Sequence, residues 1–277
     1  MSLTPPRTGP RTGGQLLVEA LTLHGADLVF GVPGESYLEV LDALVDVPAI
    51  RYVLGRQEGG VAFMAEAYGK LTGRPGVAFV TRGPGACNAA IGIHTAFQDS
   101  TPMILFVGQV AREQAEREAF QEIDYRRMFG PIAKWAAEIN QAGRIPEFVA
   151  RAFHVATSGR PGPVVLALPE DMLREAAQVA VGRPYAVTEP HPAPADVAAL
   201  ADRLARAERP MVLVGGGGWS DRAAADLKSF VEAWQLPVCC SFRRHDVLDN
   251  TSPGFIGELA LNPNPKLLER VRVADLL

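Results

Sequence analysis

Cysteine is scarce: the 277 residues hold three, Cys87, Cys239 and Cys240. Their spacing fits no metal-ligand pattern, and adjacent cysteines rarely bridge each other, so neither a zinc site nor a disulfide framework is expected. Cys87 reads as a small core residue in front of an apolar helix. An excess of one charge is also missing. Twenty-seven Lys and Arg stand against 31 Asp and Glu, a net −4, with no basic patch or run, which argues against nucleic acid or a membrane surface as partner. No apolar run approaches the ~20 residues of a membrane span. The N-terminus lacks a signal-peptide pattern, so a cytoplasmic protein is expected. No G-x-S-x-G elbow, Walker A or H-E-x-x-H occurs, which removes three common catalytic frameworks. The five histidines are dispersed. His94 lies inside an apolar helical pattern and reads as a packing residue, while His24 and His154 read as surface or helix-end residues.

What is plentiful is apolar surface, glycine and proline. Hydrophobic residues make up 48% of the chain, enough for a sizeable core, and the length suits about two domains. Residues 1–12 read as a disordered leader with nothing to bury. Residues 13–182 form a first domain, 183–195 a Pro-rich linker and 196–277 part of a second domain. In the first domain, uninterrupted apolar runs at 26–32, 51–54, 76–81, 102–108 and 163–168 read as strands buried on both faces of a parallel sheet. Helical patterns at 14–24, 35–45, 58–72, 85–98 and 145–158 alternate with them. This implies a doubly wound α/β layer with right-handed crossovers. The second domain reads as a partial Rossmann-like unit: helix 195–207, strand 210–218, helix 221–234, strand 236–242. It closes on "ADLL", the pattern of one more strand, so the chain reads as ending within an element.

Ligands of such sheets sit beyond the carboxyl ends of the strands, and here those loops are rich in Gly and Pro: Gly31-Val32-Pro33-Gly34, Thr81-Arg82-Gly83-Pro84-Gly85 and Gly108-Gln109. Glu58 closely follows the second strand and opens a helix whose same-face neighbours, Val61, Ala62, Ala65 and Gly69, are small or apolar. One reading is a carboxylate stabilised by the helix dipole; the other is a catalytic carboxylate at the ligand edge. Residues 109–130 break the pattern. They read either as a functional ordered loop or, at 111–118, as a solvated helix of alternating charge. Gly215, Gly216, Gly217 and Gly218 follow a strand and precede a helix. The third glycine of G-x-G-x-x-G is Ser220 instead, so nucleotide contact and a tight strand–helix turn both remain open.

Several motifs then agree in order and spacing: GVPGE (31–35), RQEGG (56–60), EAYGKLTG (66–73), VTRGPGACN (80–88), AFQDSTP (96–102), VGQV (107–110), AFQEID (119–124) and TSGRPGPVVLALPED (157–171). Together they resemble the N-terminal, pyrimidine-binding domain of thiamine-diphosphate enzymes of the acetolactate synthase group. Residues from 195 on resemble the start of that group's central domain. The resemblance implies a thiamine-diphosphate-dependent 2-keto acid carboligase or decarboxylase, in which Glu58 contacts N1′ of the cofactor's aminopyrimidine. It implies Pro33, Gly34, Pro84, Gly85 and Asn88 around the cofactor, with Gln109, Phe120 and Gln121 toward the substrate. Lys134 falls at an access-channel position. Arg160, with Gly215, Gly216 and Gly217, falls where FAD would be held. It also implies a small 2-keto acid substrate, Mg²⁺ held through a further domain, and a homodimer or homotetramer.

Three departures qualify this picture. The histidine that often precedes the glutamate is Gln57, which cannot titrate. Residues 241–267 differ from the FAD-gripping segment, which leaves FAD open. The Gly-Asp-Gly diphosphate signature is absent, and no Gly-Asp dipeptide occurs, so no metal ligand is assigned and the chain reads as half a site, inactive alone. A non-catalytic flavin- or nucleotide-binding module and a partner subunit without the diphosphate domain are the alternatives.

Overall fold

The structure, a computed structural model, describes residues 9–277. Most of the expected leader, residues 1–8, lies outside the described residues. The chain divides into two units, one extending to Thr188 and the other covering Glu189–Leu277.

The first unit runs β1 (Arg11–Thr12), α1 (Gly13–Leu23), β2 (Leu28–Gly31), α2 (Leu38–Val45), β3 (Arg51–Leu54), α3 (Glu58–Thr72), β4 (Gly76–Val80), α4 (Pro84–Asp99), β5 (Met103–Gln109), α5 (Tyr125–Phe129), β6 (Trp135–Glu138), α6 (Ile145–Thr157), β7 (Pro163–Pro169), α7 (Glu170–Arg174) and β8 (Ala176–Ala177). Strands β2 to β7 form one six-stranded sheet in the order β3-β2-β4-β5-β7-β6, every neighbouring pair parallel. Alternation along each strand sorts the core into two layers. Val77, Phe79, Ile104, Phe106, Val164 and Leu166 face α1, α2 and α6. Ala78, Val80, Met103, Leu105, Val165 and Ala167 face α3 and α4. Strands β4, β5 and β7 are covered on both faces, which is why they read as continuous apolar runs.

The strand order locates the ligand crevice. From β2 the chain moves outward to β3, then crosses back to β4 on the other side of β2 and continues to β5. Connections therefore leave β2 and β4 in opposite directions, and the carboxyl ends of these neighbours flank a topological switch point.

Three expectations change here. Arg11 and Thr12 are not leader. They pair antiparallel with Ala177 and Ala176, and Thr12 caps α1 through a reciprocal box, its Oγ1 accepting from the Gln15 amide while Gln15 Oε1 accepts from the Thr12 amide. A sixth strand, β6, stands at the sheet edge. Its four half-buried residues form no continuous apolar run, so nothing in the sequence marks them. Residues 111–118 form no α-helix: a short 3₁₀ turn at Arg112–Gln114 is followed by Glu116 and Glu118 at φ 63° and 54°, a left-handed backbone that a helix cannot carry.

The second unit carries α8 (Pro194–Arg206), β9 (Val212–Val214), α9 (Asp221–Ala233), β10 (Val238–Ser241), β11 (Phe255–Leu259) and α10 (Pro265–Val273). Its parallel sheet has the order β11-β10-β9, and Leu276 bridges Pro210 in parallel beyond β9. The strand expected over 210–218 is shorter, because Gly216 and Gly218 turn to φ 70° and 80° and leave the ladder.

Candidate active site

Helix α3 begins at Glu58, four residues past the end of β3. Gln57 is its N-cap, with Oε1 accepting from the Gly60 amide at 2.9 Å. The non-titrating side chain that departs from the family pattern thus satisfies a helix terminus. Val61, Ala62, Ala65 and Gly69 are all buried. They let α3 lie tightly along α4: a Cβ on Gly92 of α4 would stand 2.4 Å from the Ala62 Cβ.

Glu58 itself is half-buried, and its two oxygens are treated differently. Oε2 accepts from Asn88 Nδ2 at 2.9 Å, so the start of α3 and the second turn of α4 are joined by one hydrogen bond to a carboxylate. Among the described residues Oε1 accepts no hydrogen bond. It lies 3.5 Å from where a Cβ on Gly85 would stand. A side chain at position 85 would occupy the ground in front of this oxygen; glycine leaves it open.

The loops around this carboxylate meet at the switch point. Ser36 Oγ, after β2, and Thr81 Oγ1, after β4, are 2.9 Å apart. A Cβ on Gly34 would stand 2.4 Å from the Thr81 Cβ, so the glycine there permits loop-on-loop contact. Tyr37 is fully buried and donates to the Val32 carbonyl. Burial first, then Tyr52 and the Glu58 charge, push its hydroxyl far above the ordinary tyrosine range, so it stays neutral and acts as a fixed donor. Gly83 takes φ 59° and ψ −111°, a conformation for glycine, and its amide donates to Tyr125 Oη at 2.7 Å.

The segment after β5 closes the site from the far side. Gln109 is buried. Its Nε2 donates to the Ile123 carbonyl and its Oε1 accepts from the Val110 amide, both at 2.9 Å, so its amide anchors the segment. Glu122 accepts from the amides of Glu116 and Ala119. Gln121 is half-buried at φ 66° and lies against Gly83, where an added Cβ would meet its Cβ at 2.7 Å. Phe120 is 74% exposed, an apolar side chain held out beside the crevice.

Comparison with known proteins assigns the family. Residues 11–128 match the family model for the thiamine pyrophosphate enzyme, N-terminal TPP binding domain, and residues 197–277 match that for the thiamine pyrophosphate enzyme, central domain. The chain belongs to the thiamine pyrophosphate enzyme family. It is 36% identical over 276 residues to the acetolactate synthase large subunit of Parasynechococcus marenigrum (strain WH8102), covering 96% of this chain and 45% of that protein. It is 37% identical over 272 residues to the acetolactate synthase isozyme 3 large subunit of Escherichia coli (strain K12), covering 96% and 47%. Against the acetolactate synthase of Bacillus subtilis (strain 168) it is 34% identical over 267 residues, covering 94% and 46%. The chain spans about half the length of these curated relatives.

Within this thiamine pyrophosphate enzyme chain, Glu58, Pro84, Gly85 and Asn88 come together at the start of α3 and α4, with Pro33 and Gly34 on the adjoining loop and Gln121 across Gly83. Arg160 does not join them. Its Nε donates to Ser100 Oγ at 2.7 Å and its Nη2 to the carbonyls of Phe97 and Gln98, at the opposite end of α4, a 16-residue helix about 24 Å long. Lys134 likewise donates to the Val155 and Ser158 carbonyls at the end of α6. Gly215, Gly216 and Gly217 lie in the second unit. There Trp219 Nε1 donates back to the Gly215 carbonyl at 3.0 Å and Ser220 Oγ caps α9, the geometry of a tight strand–helix turn. His94 is exposed where a packing residue was expected, while His24 stands at the end of α1 as one of its two readings had it, though buried there; Cys87, expected in the core, is exposed. Sequence reasoning missed Arg82. It is 8% exposed, and its only signal is a charged residue inside a Gly-Pro turn.

Proposed function

We propose that this chain supplies the aminopyrimidine-binding half of a thiamine-diphosphate-dependent enzyme that acts on small 2-keto acids as a carboligase or decarboxylase. Glu58 carries the reading: one carboxylate oxygen is anchored by Asn88, and the other has no hydrogen-bond partner among the described residues and lies beside Gly85 at the switch point of the sheet. That is a pre-aimed acceptor for a protonated ring nitrogen. When bound, the coenzyme supplies carbanion chemistry that no side chain offers. The residues of this chain do the positioning. Glu58 Oε1 would share a proton with the ring nitrogen in a short hydrogen bond, favouring the ring's imino tautomer. Asn88 fixes the rotation of the carboxylate. Gly85 keeps the approach clear. Pro33, Gly34 and Pro84 line the rim.

Gln121 and Phe120 face the substrate side, and Gln109 acts by holding their segment. The names of the relatives, all acetolactate synthases, favour pyruvate-like substrates and an enzyme over a binding module. Mg²⁺ is assigned to a separate diphosphate-binding half: among the described residues no cluster of three or more His, Cys, Asp or Glu could hold a metal, and no Gly-Asp dipeptide occurs. A site split in this way calls for at least two chains or domains, and we place the assembly in the cytoplasm. Flavin has no part in the reading, since Arg160 is spent on the end of α4.

The test is Glu58→Gln in protein that joins this chain to a diphosphate-binding half, supplied with thiamine diphosphate, Mg²⁺ and pyruvate. Loss of positioned acid–base catalysis lowers turnover about 10²–10⁴-fold. Unchanged turnover removes Glu58 from the mechanism.

A further inference from the structure

Arg82 is the one charged residue within the Gly-Pro turn after β4, and its guanidinium reaches three separate segments. Nη2 pairs with Glu35 Oε1 at 2.6 Å, on the stretch after β2. Nη1 pairs with Glu170 Oε2 at 3.2 Å, at the start of α7. Nε donates to the Phe120 carbonyl at 3.3 Å. The next residue, Gly83, touches Gln121 and donates to Tyr125. The segment from 116 to 121 carries three non-glycine residues at positive φ: Glu116, Glu118 and Gln121. Each is costly unless its surroundings impose it. Among the described residues, Arg82 supplies the only hydrogen bond from a side chain outside the segment to the carbonyl that directly precedes the strained Gln121. Its planar fork can satisfy two carboxylates and a carbonyl together; a lysine ammonium offers no such fixed geometry.

We infer that Arg82 is a positioning residue for this enzyme, holding the Phe120–Gln121 peptide in place so that Gln121 is presented on one flank of the Gly83–Gly85 turn while Glu58 stands on the other. The catalytic part of this inference rests on the proposed function; the structural part does not. Glu35, 66% exposed at its side chain, forms the outer arm of the clamp, and Glu170 the inner.

Two measurements separate these parts. Amide hydrogen exchange on the 277-residue chain reads Glu116, Ala119 and Glu122, whose amides are bonded within the segment. Arg82→Lys keeps the charge and removes the fork, and exchange at these three amides rises about tenfold, the scale of a lost hydrogen bond to a charged group. Amides of β4 and β5 stay protected. Arg82→Met gives a larger rise at the same positions. Unchanged exchange in Arg82→Lys overturns the inference, and so does a rise spread evenly over β4 and β5, whatever Arg82→Met does. In protein joined to a diphosphate-binding half, Arg82→Lys lowers kcat about tenfold with KM for pyruvate little changed. Equal kcat in variant and parent overturns the positioning role. Failure of the Glu58→Gln test would leave the exchange result standing, so the two ideas fail separately.

Discussion

At Glu58 a single hydrogen bond separates an ordinary helix-start carboxylate from a candidate catalytic one. Asn88 holds Oε2, so Asn88→Ala frees the carboxylate to rotate. Turnover with pyruvate then falls about tenfold, the scale of one exposed hydrogen bond to a charged group, and less than for Glu58→Gln. His24 offers a second residue-scale test. It stacks on Phe153 with centroids 5.0 Å apart, accepts from the Tyr185 amide through Nδ1 at 3.1 Å, and is pushed by burial below its ordinary value of 6.5. The fold therefore favours the neutral ring. Its contribution to stability is fully present above about pH 6.5 and is lost as pH falls toward the folded value. Replacing His24 by Gln flattens the acid limb of the melting temperature against pH; an unchanged slope rejects this account. Glu58 was legible in the sequence because a carboxylate opening a small-residue helix face is a local pattern. Arg82 was not, because its partners Glu35, Phe120 and Glu170 are 47, 38 and 88 positions away.

At the scale of elements, the pairing of α3 with α4 sets where Glu58 and Asn88 stand. Gly92→Ala tests this. Alanine gains about 1 kcal/mol of helix propensity, but its Cβ would meet the Ala62 Cβ at 2.4 Å and the Ala62 carbonyl carbon at 2.9 Å. The second contact is backbone, which cannot swing aside, so overpacking of 1–3 kcal/mol wins. Urea melts of the 277-residue chain show a net loss of stability, and a gain would mean the helices part easily. Elements that bury both faces, β4, β5 and β7, were legible as apolar runs within one residue of their ends. The edge strand β3 was legible as well, at 51–54, but other elements with few neighbours were not. The edge strand β6, the paired β1 and β8, and the short α5 and α7 depend on contacts made after the sheet exists. The segment after β5 shows the same limit. Its charge pattern suits a helix, yet Glu122, Gln109 and Arg82 draw its backbone into a folded loop.

For the molecule as a whole, the division near Thr188 gives two cores with separate sheets. Residues 186–193 are exposed and without regular structure, and Glu189 lies among them. Limited digestion with a glutamate-specific protease cuts there first, and the larger fragment keeps a cooperative thermal transition. A fragment that loses its transition on cutting contradicts the independence of the first core. No helix among the described residues is long and apolar enough to cross a membrane. What the sequence by itself determined is the class of fold, the Gly- and Pro-rich loops at strand ends, and Glu58 as the residue to watch, since burial pattern and turn chemistry act over a few residues at a time. The tertiary structure alone decided the strand order, and with it the switch point between β2 and β4. It also decided which loops touch, that Arg160 bonds the end of α4 and Gln109 the segment after β5, and that Arg82 binds three segments together. Those outcomes depend on contacts between residues far apart in the chain, which only the closed sheet brings within hydrogen-bonding distance.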